Sequence, residues 1–361
     1  MRTLFYHTGQ HWTGAARSFA VAARGFVAHG ATVTVVCRAG SGPEKGFERE
    51  GLDIVTVPPD GSAAAEAWRL RTILKDRFIE VVFLHSEREH LAASSAMRLA
   101  ERGGVIRRIP AGGSAAAGRS GKLAGRMATS RLLFATEADR ARTGAERDFV
   151  APLGVDVTRV QDVRAASRAM LDATDATQLM ICVIDEHAGP RITTAMRTLA
   201  LLAERHPELR LVMVGRDADA DDTRMHAAAL GVTSLVRFLG DRDDMPAILA
   251  AADVGWVAAE GDDGAFGCLD FMAARVPVMA ERSALLASYV PDGIAGVLLP
   301  PADPSDTASA VARFLADADT RTAMGNAGFT RAKRDFGENA MIGGFIAAAT
   351  AAGDRSLWTA R

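Results

Sequence analysis

In the first half of the chain, short β-branched runs alternate regularly with longer helix-like segments, and this pattern strongly restricts the possible folds. Strands and helices alternating at this spacing form βαβ units, whose parallel sheet is covered by helices on both faces. The predicted strands are Arg2–Tyr6, Thr32–Cys37, Asp53–Val57, Val81–Leu84, Val105–Ile109 and Leu132–Thr136. The predicted helices are Gly14–His29, Ala63–Lys75, Glu87–Arg102 and Glu137–Arg142.

The second half repeats this pattern. Its predicted strands are Met180–Ile184, Leu211–Val214, Val236–Leu239, Val254–Val257, Val276–Met279 and Gly296–Leu299. Its predicted helices are Arg191–Arg205, Asp222–Leu230, Met245–Ala252, Phe266–Ala274 and Ser283–Val290. Open α/β sheets bind ligands beyond the carboxyl ends of their strands. We therefore predict an α/β protein with two doubly wound, Rossmann-like domains facing each other across a cleft.

A turn-prone segment, Pro152–Asp156, follows the last strand of the first sheet and marks the domain boundary. We predict a first domain over residues 1–156 and a second over residues 157–337. Three more helices are predicted at Pro304–Asp317, Asp319–Arg334 and Glu338–Ala351. In the last helix, Met341, Ile342 and Phe345 need a surface to cover them. We therefore predict that residues 338–361 form a helix that packs back on the first domain, followed by a tail.

Charge and cysteine content exclude several classes of protein. The 361 residues carry a formal net charge of −2, which argues against a nucleic-acid partner. The three cysteines are far apart, unlike a disulfide framework or a paired metal-ligand motif. The sequence shows neither the apolar core of an export signal nor a stretch long enough to span a bilayer. We expect a cytoplasmic protein.

The first candidate ligand-binding loop is Gly9–Arg17, between the first strand and the first helix. Small residues, Gly14 among them, let the backbone approach a ligand, and the helix N-terminus offers N–H groups to an anion. The dinucleotide fingerprint G-x-G-x-x-G is absent, so a nicotinamide cofactor is not indicated. From the residues alone, a plain tight turn is an equal alternative.

The second candidate is Asp262–Val278, where we expect a loop containing Gly264 to lead into a helix. A phosphate would accept hydrogen bonds from backbone N–H groups at the helix start. The expected donors are Phe266, Gly267, Cys268 and Leu269. The Asp270 carboxylate on the next turn would accept hydrogen bonds from a sugar diol. The alternative is that Asp270 is a solvated helix residue and Asp262 part of a polar cap.

Several segments, in order and spacing, resemble the group 1, family-four retaining glycosyltransferases, which have the GT-B fold. In the second half these segments are Leu201–Gly215, Val236–Gly240, Leu249–Val254, Asp262–Val278, Asp292–Leu299 and Met324–Gly328. In the first half, Gly14–Arg17 and His29–Val36 look like the family's opening glycine loop and second strand. Pro152–Asp156 is similar to its interdomain turn.

The resemblance implies transfer of a sugar from a nucleotide-diphosphate sugar to an acceptor, with retention at the anomeric carbon. The donor is implied to lie mainly on the second domain, and the acceptor (a glycan, a lipid-linked sugar or a small molecule) to enter from the first. Cationic side chains and helix N-termini would stabilise the departing diphosphate. We therefore expect no cofactor and a donor site without an obligatory metal. Basic residues cluster between Arg98 and Lys122. A solvated surface explains this cluster better than peripheral membrane contact, which is the alternative.

The family's two acidic positions, usually glutamates eight residues apart, fall on Asp262 and Asp270, each one methylene shorter. The resemblance assigns Asp262 to the sugar, as the catalytic candidate, and Asp270 to the ribose hydroxyls. Neighbouring Glu260 and Asp263 are possible substitutes for Asp262.

The family's diphosphate-clamping arginine and lysine fall near Asp185 and Pro190. Arg191, and Arg216 after Gly215, are the candidate replacements. The family's functional histidine after the fifth strand is missing near Pro110. His85, at the end of the fourth strand, is the nearest alternative catalytic side chain, although a lone histidine there is more often structural.

Three functional hypotheses follow. The leading one is a nucleotide-sugar-dependent glycosyltransferase. The second is a non-catalytic GT-B protein that binds a nucleotide or glycan or supports an active partner, because several site positions differ. The third is another activated-sugar reaction, such as epimerisation or phosphorolysis, and the negative charge of Asp185 counts against phosphorolysis.

Overall fold

The computed structural model describes residues 1–59, 62–101, 103–116, 118–128, 130–144, 148–160, 163–185, 189–242, 244–299 and 304–353. The chain divides into two compact units. The first unit comprises Met1–Leu153 and the chain from Glu338 onward, and the second comprises Gly154–Gly337. Among the described helices, none combines the length and apolar character needed to cross a membrane.

The first unit is a seven-stranded sheet with helices between the strands. Its strands are β1 (Arg2–His7), β2 (Thr32–Arg38), β3 (Ile54–Val57), β4 (Val81–Leu84), β5 (Gly104–Ile109), β6 (Ser130–Phe134) and β7 (Phe149–Val150). The helices that precede β7 are α1 (Gly14–Ala28), α2 (Gly42–Arg49), α3 (Ala63–Asp76), α4 (Glu87–Ala100), α5 (Arg119–Met127) and α6 (Glu137–Arg142). The strand order is β3-β2-β1-β4-β5-β6-β7, and neighbouring strands run parallel.

The second unit has a six-stranded parallel sheet in the order β10-β9-β8-β11-β12-β13. Its strands are β8 (Gln178–Ile184), β9 (Leu209–Gly215), β10 (Val236–Gly240), β11 (Val254–Ala258), β12 (Val278–Glu281) and β13 (Gly296–Leu299). Its helices are α7 (Arg164–Met170), α8 (Gly189–Leu202), α9 (Asp221–Ala229), α10 (Met245–Ala250), α11 (Gly261–Ala273), α12 (Ala284–Tyr289), α13 (Pro304–Ala316) and α14 (Ala318–Asp335). Short 3₁₀ turns lie at Val157–Val160 and Thr233–Leu235.

The last helix, α15 (Glu338–Gly353), packs in the core of the first unit. Met341 and Phe345 are fully buried, and the Phe345 ring centroid lies 5.2 Å from that of Phe83 on β4. A Cβ on Gly25 of α1 would meet Ile342, so this glycine lets the two helices approach closely. The apolar face recognised in the sequence is therefore covered by the sheet and by α1.

Both faces of the first sheet are buried, which explains its nearly continuous apolar strands. One face of β1 contributes Phe5 to a core shared with α1 and α15, and the other contributes Leu4 and Tyr6 to a core shared with α3 and α4. Phe5 stacks on Phe83 with ring centroids 5.1 Å apart. The predicted fold class, two parallel-sheet Rossmann-like domains, is confirmed.

Three helices and one short strand were not predicted: α2, α5, α7 and β7. Helix α2 begins with Gly42-Pro43, which is typical of a turn, yet Ser41 caps it by accepting a hydrogen bond from the Glu44 amide at 3.2 Å. Helix α5 contains two glycines, which lower its intrinsic helix propensity. Tertiary packing outweighs these local signals.

Several strand boundaries also differ from the prediction by one or two residues, and β8 and β9 each begin two residues earlier than expected. Strand β6 ends at Phe134, because Thr136 is the N-cap of α6. The Thr136 hydroxyl oxygen accepts a hydrogen bond from the Asp139 backbone N–H at 3.0 Å. Strand β12 begins at Val278, two residues later than expected. The predicted end of the helix from Glu87, at Arg102, lies outside the described residues.

The three cysteines, Cys37, Cys182 and Cys268, are buried and form no disulfide with one another. Burial, with Glu44 and Glu48 adding to it, raises the pKa of Cys37 to about 12, and burial also raises the pKa of Cys182 and Cys268. Since the thiolate is the reactive form, we expect no reaction of the folded protein with a thiol-specific disulfide reagent at pH 8. All three thiols should react after unfolding in urea. Rapid labelling of any of them in the folded protein would contradict this burial.

Candidate functional site

The second sheet has a topological switch point between β8 and β11. The chain runs from β8 through β9 to β10 and then returns to place β11 on the other side of β8. Ligands of open α/β sheets bind at such a point, beyond the carboxyl ends of the strands. Asp185 follows β8 and Glu260 follows β11, and the Asp185 Oδ2 atom accepts a hydrogen bond from the Glu260 backbone N–H at 3.0 Å.

Arg191 lies in the first turn of α8 and makes two ion pairs at this edge of the sheet. Its guanidinium contacts the Glu260 carboxylate, and its Nε lies 2.9 Å from Glu281 Oε2. Two carboxylates therefore pair with this arginine, and Asp185 adds a third at the same edge of the sheet through the Glu260 backbone. The positive charge predicted to face a diphosphate is therefore already paired with two carboxylates of the protein. Arg216, the second candidate, is half-buried directly after β9.

Gly215, the last residue of β9, fits a position that excludes side chains. Its φ is +117°, a conformation that L side chains rarely adopt. A Cβ at this position would overlap the carbonyl oxygen of Ile184, at the end of β8. This glycine therefore permits the close approach of backbones beside the switch point.

Helix α11 begins at Gly261, five residues before the predicted start at Phe266. The first intrahelical hydrogen bond runs from the Gly264 amide to the Glu260 carbonyl at 2.9 Å. The amides expected to hold a phosphate therefore lie in the second and third turns, where each α-helical amide donates to a carbonyl four residues earlier. This corrects the role predicted for the backbone of Phe266, Gly267, Cys268 and Leu269.

The helix N-terminus beside the switch point is instead formed by Gly261–Gly264. A Cβ on Gly264 would overlap the Ala259 carbonyl oxygen, so glycine lets this first turn pack against the end of β11. The turn carries Asp262 and Asp263, which oppose an anion at the positive end of the helix dipole. By contrast, the first turn of α1 at Gly14 contains no acidic residue.

Asp262 and Asp270 both lie on α11 and both are buried, with 5% and 7% exposure. Eight residues of α-helix span about 12 Å along the axis. Asp262 therefore lies at the switch point, and Asp270 lies deeper along the helix. The side chains of Phe266, Cys268 and Leu269 between them are buried as well.

The first sheet has its own switch point, between β1 and β4. Phe5 pairs with Phe83 in the parallel register, so His7 and His85, two residues further along each strand, lie side by side. Their Nδ1 atoms are 3.2 Å apart. The His85 Nδ1 atom is also 3.1 Å from Oε2 of Glu89, in the first turn of α4. The predicted candidate His85 therefore belongs to a cluster of three titratable side chains.

Glu89 is held by several donors. Its Oε1 accepts hydrogen bonds from the Thr8 backbone N–H at 2.5 Å and from the Thr8 hydroxyl at 3.0 Å. Its Oε2 accepts from the backbone N–H groups of Ser86 and His85, at 2.9 and 3.1 Å. Burial alone would raise the pKa of Glu89, but the histidines and these hydrogen bonds outweigh it and hold the pKa well below its usual range. Burial and the neighbouring His85 lower the pKa of His7 to about 4.

Sequence analysis missed His7, Glu89 and Glu281 as members of these two clusters. One local signal was available for Glu89, because Ser86-Glu87-Arg88-Glu89 has the S-x-x-E pattern of a capping box, which the structure forms. His7 gave no such signal, since its partners lie 78 and more residues away. Those contacts exist only once β1 and β4 pair.

Comparisons with known proteins agree with this architecture. Residues 183–317, which include the switch point of the second sheet, match the family model described as "Glycosyl transferases group 1". A D-inositol 3-phosphate glycosyltransferase of Corynebacterium kroppenstedtii is 30% identical over 158 residues, covering 40% of this chain and 34% of the relative. The enzyme of the same name from Geodermatophilus obscurus is 30% identical over 247 residues, 63% of this chain and 54% of the relative. The chain thus matches between a third and about half of the length of these relatives.

Among solved structures, Anabaena HepE in complex with UDP and glucose superposes with a TM-score of 0.81 and 17% identity, covering 97% of this chain and 100% of HepE. The class of protein is therefore a GT-B fold with two Rossmann-like domains. Within that class, residues 183–317 of the second unit match the group 1 glycosyltransferase family, and the chain is similar to the inositol phosphate glycosyltransferases named above.

Proposed function

We propose that this protein is a retaining glycosyltransferase that transfers a sugar from a nucleotide-diphosphate sugar to an acceptor hydroxyl. The observation that carries the proposal is that the group 1 family match covers the switch point of the second sheet, where Gly215 and Gly264 let the ends of β8 and β9 and the first turn of α11 pack closely. HepE, which has the same fold, is described in complex with UDP and with UDP-glucose. We extend a uridine diphosphate donor to this chain as part of the proposal.

In this proposal the two aspartates of α11 are assigned to the two ends of an extended donor. Asp262 at the switch point would face the transferred sugar, and Asp270, about 12 Å along the helix axis, would accept hydrogen bonds from the ribose hydroxyls. A nucleotide-diphosphate sugar has its sugar and its nucleoside at opposite ends of the diphosphate. The diphosphate would lie against the start of α11 and against Arg191 and Arg216.

The acceptor would enter at the first unit, whose switch point carries His85, the candidate side chain for the acceptor hydroxyl. The curated relatives are named for transfer to D-inositol 3-phosphate. A small polyol or sugar acceptor is therefore the first class to test. We propose that donor binding needs neither a cofactor nor a metal ion.

One observation favours a second candidate, a non-catalytic GT-B protein that binds a nucleotide. Arg191 is paired with Glu260 and Glu281, and Asp185 adds a further carboxylate to the same edge. A transferase must stabilise a departing diphosphate, and fixed negative charge opposes that. Nucleotide binding without turnover is the expected behaviour if the carboxylates remain in place during donor binding.

The test is an incubation of the full chain with a panel of nucleotide-diphosphate sugars, with and without polyol acceptors, while the released nucleoside diphosphate is measured. The proposal predicts release from at least one UDP-sugar, including slow hydrolysis without an acceptor. The matched variant Asp262→Asn should bind UDP with the affinity of the parent but produce UDP from the UDP-sugar more slowly. Tight UDP binding with no release from any donor would contradict the transferase and favour the binding protein.

A further inference from the structure

The cluster at the switch point of the first sheet has the composition of a metal site. His7 is the last residue of β1, His85 directly follows β4, and Glu89 lies about one helical turn after His85. One potential ligand atom from each residue lies within 4.8 Å of the other two. Two imidazoles and a carboxylate form the ligand set of one common class of zinc site, which leaves a fourth position open.

Two of the three distances between ligand atoms match those around one ion, and the third lies within 4.8 Å. Zinc–nitrogen and zinc–oxygen bonds of about 2.0–2.2 Å in a tetrahedron place neighbouring ligand atoms roughly 3.3 Å apart. The two Nδ1 atoms are 3.2 Å apart, and His85 Nδ1 lies 3.1 Å from Glu89 Oε2. These separations are the edges of a metal coordination sphere as well as hydrogen-bond distances, so the chemistry of the atoms must distinguish the two.

Hydrogen bonds alone do not satisfy the two Nδ1 atoms and the carboxylate oxygen of this cluster at the same time. If His85 Nδ1 carries a hydrogen, that one hydrogen must serve both Glu89 Oε2 and His7 Nδ1. If His7 Nδ1 carries the hydrogen instead, the lone pair of His85 Nδ1 faces the carboxylate oxygen, and two acceptors repel each other. A divalent ion accepts a lone pair from all three atoms at once.

The surroundings also suit a metal ligand set. The four donors from Thr8, His85 and Ser86 fix the Glu89 carboxylate, as outer-shell hydrogen bonds fix metal-binding carboxylates. His7 and Glu89 are almost fully buried, whereas the His85 side chain is 22% exposed. A fourth ligand would therefore approach from the side of His85.

We propose that His7, His85 and Glu89 bind one divalent transition-metal ion of the zinc class at the switch point of the first sheet. Imidazole nitrogen with carboxylate oxygen suits zinc, cobalt, nickel and ferrous iron better than magnesium or calcium. This site lies in the first unit and goes beyond the proposed transfer reaction. The metal-free donor site proposed for the second unit is a separate prediction.

The test uses the full chain after dialysis against a chelator, titrated with Zn²⁺ by calorimetry and with Co²⁺ by visible absorption. We expect one ion per chain. The variants His85→Ala and Glu89→Gln should weaken binding at least about 100-fold, because loss of an outer-shell partner alone costs 10–100-fold. His11→Ala, which removes an exposed histidine near the same strand end, is the matched control and should bind as the parent does.

Melting curves and circular dichroism show whether each variant is folded. Because His85 is less buried than Glu89, His85→Ala is the variant of choice if Glu89→Gln does not fold. The absence of stoichiometric Zn²⁺ binding to the parent would overturn the proposal. Equal Zn²⁺ affinity in the parent and in folded His85→Ala would also overturn it, since the ion would then lie elsewhere. Neither readout depends on sugar transfer, so the fate of this proposal is separate from that of the transferase.

Discussion

Replacement of Phe345 by alanine should lower the free energy of unfolding of the first unit by about 3–5 kcal/mol, the usual cost of removing a buried phenylalanine side chain. Phe345 is fully buried, and its ring lies among those of Phe5, Phe19 and Phe83. The cavity would open between α15 and the sheet. Urea titration followed by far-ultraviolet circular dichroism measures the change.

Hydrogen exchange would show where the stability is lost. In Phe345→Ala, the amides of β1 and β4 should exchange faster, while those of β8 and β11 in the second unit should not. Thr350→Ala changes an exposed position on the same helix and should alter the free energy of unfolding by less than about 0.5 kcal/mol. Unchanged exchange in β1 and β4 of Phe345→Ala would mean that α15 contributes little to this core.

Gly215→Ala should destabilise the second unit by about 3 kcal/mol or more and abolish nucleotide binding. The φ of +117° is strained for alanine, and the new Cβ would overlap the Ile184 carbonyl oxygen. Relief of that overlap must separate the ends of β8 and β9, beside the proposed diphosphate position. Denaturant titration and UDP calorimetry measure the two effects.

Gly231→Ala is the matched control for backbone strain. Its φ is +70°, and a Cβ there would meet nothing within 4 Å. Gly231→Ala should lower the free energy of unfolding by about 1–2 kcal/mol and leave the affinity for UDP unchanged. If Gly215→Ala behaved like Gly231→Ala in both measurements, the close approach of β8 and β9 would not matter for the site.

The fold was largely predictable because its signals are local. Each central strand is an aliphatic run and each long helix has its own periodicity, so alternation alone indicates two parallel sheets. The short elements were missed where local preference and packing disagree. Helix α5, with glycines at positions 121 and 125, forms where it packs beside α4.

The candidate sites were less predictable because their contacts are long-range. The sequence places Arg191 near a diphosphate, but not against Glu260 and Glu281, which lie 69 and 90 residues away. The predicted start of α11 is five residues too late because Gly261 and Gly264 are typical of a loop. In the structure, Gly264 lets the first turn of the helix pack against the end of β11. In the sequence His85 is an isolated histidine, and only the pairing of β1 with β4 brings His7 beside it.

If α11 holds the nucleoside of a sugar donor, calorimetric titration of UDP should distinguish the parent from Asp270→Asn. Hydrogen bonds to a charged acceptor contribute about 1.5–3 kcal/mol. Asp270→Asn keeps the shape of the side chain but removes the charge and one acceptor oxygen. We predict that UDP binding weakens roughly tenfold or more, since about 1.4 kcal/mol corresponds to a factor of ten.

Asp262→Asn serves as the matched control, because that residue would face the sugar, and it should change UDP affinity much less. We expect UDP to bind to the parent, and we expect the tenfold loss of affinity only in Asp270→Asn. Loss of affinity in Asp262→Asn with full affinity in Asp270→Asn would show that the assignment of the two aspartates is wrong. A parent chain that binds neither UDP nor any other nucleoside diphosphate would contradict the donor site altogether.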